Sequence, residues 1–243
     1  MADGPRLKID IAVKRFPVLP APLMLNFHLE VAASSVVALV GPSGVGKSSL
    51  LRMIAGIDNE YEGTIGIDGV PAADAQPAGF VFQDTRLLPW LTAEDNIRVV
   101  REATTSAEAR ELLARVGLAG YEKAYPHQLS GGMQRRAAIA RAFSVNPRLL
   151  LLDEPFVSLD RHLVNDVQRV FLNLVRDSRP TVLLVTHLPE DAARLADRAI
   201  LLDGKPARIV GDVALPGLRG TRSIADIARL TDEISFPTIE MTL

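Results

Sequence analysis

The chain has 243 residues, enough for one globular unit with a sizeable core. With 27 basic and 29 acidic side chains the formal balance is −2, which lends no support to a nucleic-acid surface. Cysteine is absent, which excludes disulfides, thiolate metal sites and cysteine nucleophiles, and no apolar run approaches the ~20 residues that span a bilayer.

The opening Met-Ala-Asp-Gly-Pro lacks a basic stretch followed by an apolar core, so no signal peptide is expected. Leu23, Leu25, Phe27, Leu29 and Val31 alternate with polar neighbours, which predicts a strand with one covered face and places His28 on the wet one. Leu7 with Ile9, and Ile65 with Ile67, repeat the pattern, and these segments are expected to form a small antiparallel sheet.

A second set of runs is apolar throughout: Val36 to Val40, Phe80 to Phe82, Leu149 to Leu152, Thr181 to Val185, and Ala199 to Leu202. Continuous short runs fit parallel strands covered by helices on both faces. Helical spacing in Ala109, Leu112, Leu113 and Val116 lies between them, with Thr105 and Glu108 as a capping box and Gly117 as the stop. From about 84 to 136 the chain reads as a helical insertion in the α/β core. After Gly204 the prolines and glycines leave room for a strand or two and a short helix. The whole, 1–243, reads as a single domain.

The first chemical motif is Gly41-Pro-Ser43-Gly44-Val45-Gly46-Lys47-Ser48-Ser49, between the strand ending at Val40 and a helix from Ser49 to Ala55. Strand, glycine-rich loop and helix together aim successive backbone N–H groups at phosphate oxygens, backed by the positive helix end. Lys47 is expected to bridge outer phosphates and Ser48 to ligate Mg2+.

Leu149 to Leu152 runs into Asp153-Glu154, two carboxylates at the carboxyl end of a buried strand, where ligands sit in open α/β sheets. Asp153 is expected to hold Mg2+, directly or through water, and Glu154 to polarise an attacking water. Ser130-Gly131-Gly132 opens a helix over Met133 to Phe143. That is either a plain N-cap or a second phosphate-binding helix end. Gln83 follows one strand and His187 another; both take roles at Mg2+, the attacking water or the terminal phosphate only alongside the other motifs. Trp90, the single tryptophan, is either core filler or part of an exposed docking patch.

Taken in order, GPSGVGKSS at 41–49, Gln83, LSGGMQRR at 129–136, LLLLDEP at 149–155, Ser158-Leu159-Asp160 and His187 resemble the ATP-binding cassette (ABC) family over nearly the whole chain. The resemblance implies an α/β P-loop NTPase core with an antiparallel β subdomain and a helical insertion, taking ATP and Mg2+. It gives Asp160 a role across a dimer and Phe16 a place on adenine, although the family more often has Tyr there. Met133 stands where Gln is commonest, and Leu188-Pro189 replaces the acidic residue usual after His187.

Two phosphate-binding helix ends on separate parts of one chain imply a head-to-tail dimer, each phosphate loop facing the other copy's Ser130-Gly131-Gly132. The segment Phe82 to Asn96 and the tail Gly204 to Val210 are similar to those of nitrate, sulfonate and taurine importers. This implies a polytopic membrane permease as partner, a solute-binding protein indirectly, and a peripheral place on the cytoplasmic face of the cell membrane. The short tail argues against subunits with an added regulatory domain. Other classes considered are an exporter, an iron–sulfur assembly ATPase, and DNA-repair or translation ATPases. The repair type needs a long coiled coil and the translation type two cassettes; neither is visible here.

Overall fold

The computed structural model describes residues 3–157 and 161–235. Strands β1 (Leu7–Lys14), β2 (Met24–Val31), β4 (Glu62–Ile67) and β5 (Val70–Pro71) form an antiparallel sheet in the order β2-β1-β4-β5. The larger sheet runs β10-β9-β3-β8-β7-β6, from Arg208–Ala214, Arg198–Asp203, Val36–Val40, Thr181–Thr186, Leu149–Asp153 and Gly79–Val81. Its strands are parallel except β10, which pairs antiparallel with β9 at the edge.

Each apolar run of the large sheet feeds two cores, because successive side chains leave a strand on opposite faces. Val37, Leu39, Leu149, Leu151, Leu183, Val185, Ile200 and Leu202 face the small sheet and helix α1 (Lys47–Ile54). Val36, Ala38, Val40, Leu150, Leu152, Val182, Leu184, Ala199 and Leu201 face the other helices. Those are α2 (Ala93–Arg98), α3 (Ser106–Arg115), α4 (Gly131–Phe143), α5 (Arg161–Ser178), α6 (Pro189–Leu195) and α7 (Ile224–Glu233). Fully burying one such Leu or Val contributes about 1.5–3 kcal/mol, so a polar residue on either phase opens one of the two cores. Between β6 and β7 the described chain carries only helices and turns. The Thr105–Glu108 capping box is present and Gly117 follows α3 at φ +72°.

One alternation fails. Leu25 is 43% exposed, while Met24 is fully buried. Asn26 sits at φ +48°, and this kink shifts the inward phase at the start of β2, so the regular pattern holds only from Phe27 onward. His28 is exposed as expected, and its Nδ1 donates to Asp10 Oδ1 at 2.7 Å, which holds the Asp10 carboxyl below its ordinary value.

Candidate functional site

Parallel pairing sets the site. Leu152 lies opposite Val81 on one side and Leu184 on the other, and Val40 opposite Thr186. The segments leaving β3, β8, β7 and β6 therefore emerge side by side at the carboxyl edge of one sheet. They carry the Gly41–Ser49 loop, His187, Asp153-Glu154 and Gln83 respectively.

In the loop, Gly46 sits at φ +110°, a conformation few side chains tolerate, and an added Cβ would lie 3.1 Å from Leu23 and Met24. At Gly41 an added Cβ would meet the Leu202 carbonyl oxygen at 2.4 Å, so β9 closes the loop's floor. Helix α1 has no side-chain cap and no acidic residue in its first turn, so its leading N–H groups are offered outward. Val45 is buried, whereas Ser43 and Gly44 are exposed.

Lys47 is buried, and its ammonium donates to the carbonyls of Gly41 at 2.7 Å and Pro42 at 2.9 Å. Burial pushes its pKa down, and the carboxylates of Glu154 and Asp153 oppose that shift. The Ser48 hydroxyl donates to Asp153 Oδ1 at 2.8 Å. Burial raises the Asp153 carboxyl, the Ser48 bond lowers it, and Glu154 raises it further. A hydroxyl beside a buried carboxylate, with no nitrogen or sulfur donor between them, is the oxygen donor set that Mg2+ takes.

Glu154 adopts φ +46°, uncommon for a residue with a side chain, and its N–H donates to the Val185 carbonyl at 3.0 Å. This turn brings Glu154 Oε2 within 3.3 Å of His187 Nδ1. The arrangement joins a carboxylate and an imidazole over the same edge as Lys47, the geometry of a proton acceptor with its orienting partner.

Phe16 is half-buried, and the Lys14 ammonium lies 4.5 Å from its ring centroid. Lys14 is fully buried, held by Asp58 at 2.7 Å and the Glu60 carbonyl at 2.9 Å. The Leu23 N–H donates to the Lys14 carbonyl, which closes the Phe16 loop onto the segment that touches Gly46.

Ser130 caps α4, accepting from the Met133 N–H at 3.3 Å, with Ser130 and Gly131 exposed and Gly132 packed on Leu163. Among the described residues no hydrogen bond or ion pair joins Ser130-Gly131-Gly132 to the Gly41–Ser49 loop. Gln83 is exposed two residues beyond β6, and Asp160 lies outside the described residues.

Residues 24–157, more than half of the chain, match the family described as ABC transporter. The chain belongs to that family. It is 44% identical to the aliphatic sulfonates import ATP-binding protein of Bacillus subtilis, over 76% of this chain and 74% of that one. It is 47% identical to a protein of the same description from Rhodococcus jostii, over 73% and 71% respectively. A dimeric ATP-binding cassette in a post-hydrolysis state, bound to ADP and Pi, superposes with a TM-score of 0.76 at 30% identity, covering 87% of this chain and all of that one. The molecule is thus an ABC ATPase with the fold expected from its sequence.

One group near His187 was not legible in the sequence. Asp191 Oδ1 accepts from Gln168 Nε2 at 2.8 Å and Oδ2 from the Thr186 hydroxyl at 3.3 Å, while Thr186 Oγ1 accepts from the Leu188 N–H at 3.0 Å. The His187 turn is thereby pinned from below. Burial pushes the Asp191 pKa from 3.8 up to about 6; its bonds to Thr186 and Gln168 and nearby Arg194 oppose the shift, and Glu190 adds to it.

A raised carboxyl stabilises the fold fully below its unfolded pKa of 3.8, and that contribution is lost as pH rises to about 6. The gap corresponds to about 3 kcal/mol. Asp191→Asn is expected to raise the urea midpoint at pH 8, by the equivalent of ~1–3 kcal/mol, and to flatten stability between pH 4 and 6.5. An unchanged pH slope would show that the carboxylate is not penalised by its surroundings.

Proposed function

We propose that the chain is the ATP-hydrolysing subunit of a membrane importer for small solutes of the nitrate, sulfonate and taurine type, aliphatic sulfonates foremost. The observation that carries the catalytic part is the meeting, at one sheet edge, of the buried Lys47, the Ser48–Asp153 pair and the Glu154–His187 pair. Backbone amides of 41–49 bind the phosphates, and Lys47 leaves its two carbonyls for the outer phosphates. Ser48, Asp153 and Gln83 hold Mg2+, which supplies charge neutralisation at the phosphates. Glu154 takes the proton of the attacking water, and His187 orients Glu154 and contacts the terminal phosphate. Phe16 stacks on adenine. A second copy, head to tail, closes each site with Ser130-Gly131-Gly132, and Asp160 belongs to that junction.

The substrate class rests on the relatives named for aliphatic sulfonate import. The membrane partner is supported by Trp90, which is 69% exposed and so is no core filler. Leu88, two residues before it, lines a groove of about 360 Å3 with Phe80, Phe82, Val99, Val100 and the arginines Arg86 and Arg141. No helix among the described residues is long and apolar enough to cross a membrane. The proposed attachment is through this permease, at the cytoplasmic face, with a solute-binding protein on the far side, and it rests on the relatives named for import.

Co-expression with a candidate permease of the sulfonate-import type is the test. The chain is expected to purify with that polytopic protein and to hydrolyse ATP faster, by threefold or more, when the solute-loaded binding protein is added. Trp90→Asp is expected to lose the permease and keep the ATPase rate of the isolated chain. A stable complex with soluble proteins only would reject the importer reading.

A further inference from the structure

Two arginines that no catalytic role absorbs grip the Gln83 segment by its main chain. Arg135 donates from Nη1 to the Phe82 carbonyl at 2.7 Å and from Nη2 to the Gln83 carbonyl at 2.5 Å. Six residues further along α4, Arg141 donates from Nη1 to the Arg86 carbonyl at 2.6 Å and from Nη2 to the Thr85 carbonyl at 2.8 Å. Four of the five carbonyls between 82 and 86 are thus held by one helix. The segment is also folded against itself: Arg86 lies at φ +46°, and its guanidinium stands 4.1 Å over the Phe82 ring, which stacks on Phe80 at 4.2 Å.

These are costly contacts for mere packing. Arg135 is 95% buried, burial disfavours the charge on both guanidiniums, and among the described residues neither has a carboxylate at ion-pair distance. Arg135 Nε has no partner there at all. Apolar side chains would fill the same space without desolvating two charges. A guanidinium adds a fixed, two-pronged geometry that orients the main chain it holds.

The same helix begins at Ser130. The residues after the grip are fastened as well, since fully buried Asn96 of α2 accepts from the Leu88 N–H and donates to the carbonyls of Leu88, Leu91 and Thr92. We infer that Arg135 and Arg141 are positioning residues that couple the two ATP sites of the dimer, by making Gln83 and the Ser130 corner of one chain move together. This rests on the shared-site reading above: Gln83 attends its own chain's nucleotide, whereas Ser130 attends the partner's. A displacement of Gln83 at one triphosphate is carried along α4 to the second, which is a coupling between distinct sites through one named element.

The test is the dependence of steady-state ATPase rate on ATP concentration in the full-length chain. The parent is expected to show a Hill coefficient approaching 2, the ceiling for two sites. Arg135→Met and Arg141→Met are expected to bring it to about 1 and to lower kcat about tenfold or more. Nucleotide affinity, measured with a fluorescent ATP analogue, should change less than about threefold. Arg135→Lys, which keeps the charge but reaches one carbonyl, should fall between. Where a Met variant fails to fold, Arg141→Lys reads the same quantity.

Parent-like cooperativity in the folded variants overturns the inference while leaving the ATPase reading standing, as does a parent coefficient near 1. A parent that neither binds nor hydrolyses ATP rejects the functional reading, and the inference with it.

Discussion

Glu154→Gln is expected to bind ATP with parental affinity and to hydrolyse it at under about one-hundredth of the parent rate, since a positioned general base contributes about 10²–10⁴-fold. The substitution is close to isosteric. The Glu154 N–H would still donate to the Val185 carbonyl, and an amide oxygen could still meet His187 at the 3.3 Å now spanned by Oε2. What disappears is a carboxylate able to accept a proton. Lys47 loses one of the two carboxylates that oppose the effect of burial on its charge, but keeps Asp153 and both carbonyl contacts, so phosphate binding survives. With chemistry blocked, nucleotide stays between the two copies and the closed dimer accumulates. Radiolabelled phosphate release, together with size-exclusion chromatography in ATP, measures both effects. Turnover at the parental rate would remove Glu154 from its assigned role.

Ser130→Arg is expected to abolish hydrolysis, by at least about a hundredfold, while the isolated chain still binds ATP. Ser130 is exposed at the start of α4, makes no hydrogen bond to its own chain's phosphate loop among the described residues, and caps the helix by accepting the Met133 N–H. A long cation there blocks the partner's site and leaves its own loop intact. Lys47→Ala damages the opposite half, removing an ammonium that spans Gly41 and Pro42. In a mixed dimer one site then holds intact Lys47 with intact Ser130, and the other holds both lesions. Random pairing of equal amounts makes half the dimers mixed, each with one site, so about a quarter of parental activity should return. Full recovery to the parental rate would reject a site shared between copies.

Much of the fold was written locally. Alternating and continuous apolar runs correspond to the two sheets because one strand type covers a single core and the other stands between two, and side-chain direction has a period of two. Where local conformation intervened the reading slipped: Asn26 at φ +48° leaves Leu25 outside and Met24 inside, and no hydropathy pattern announces a kink. The phosphate loop was visible because strand, loop and helix are contiguous, so its ring of N–H groups is fixed by neighbouring residues.

The arginines of α4 were not visible, since in sequence they resemble ordinary charges on a helix. Their partners are main-chain carbonyls more than 50 residues away, and a carbonyl carries no residue identity. Asp191 was hidden for a related reason: its acidity depends on burial beneath a turn whose walls come from α5, α6 and β8.

By itself the sequence determined the strand classes, the phosphate-binding loop and the membership of an ABC family, because those depend on periodicity and contiguous backbone. Only the tertiary structure decided that Ser48 meets Asp153 across 105 residues, that Glu154 meets His187, and that Trp90 stands in the open. Parallel strand order sets those meetings, and it is fixed by the packing of both cores together rather than by any single segment.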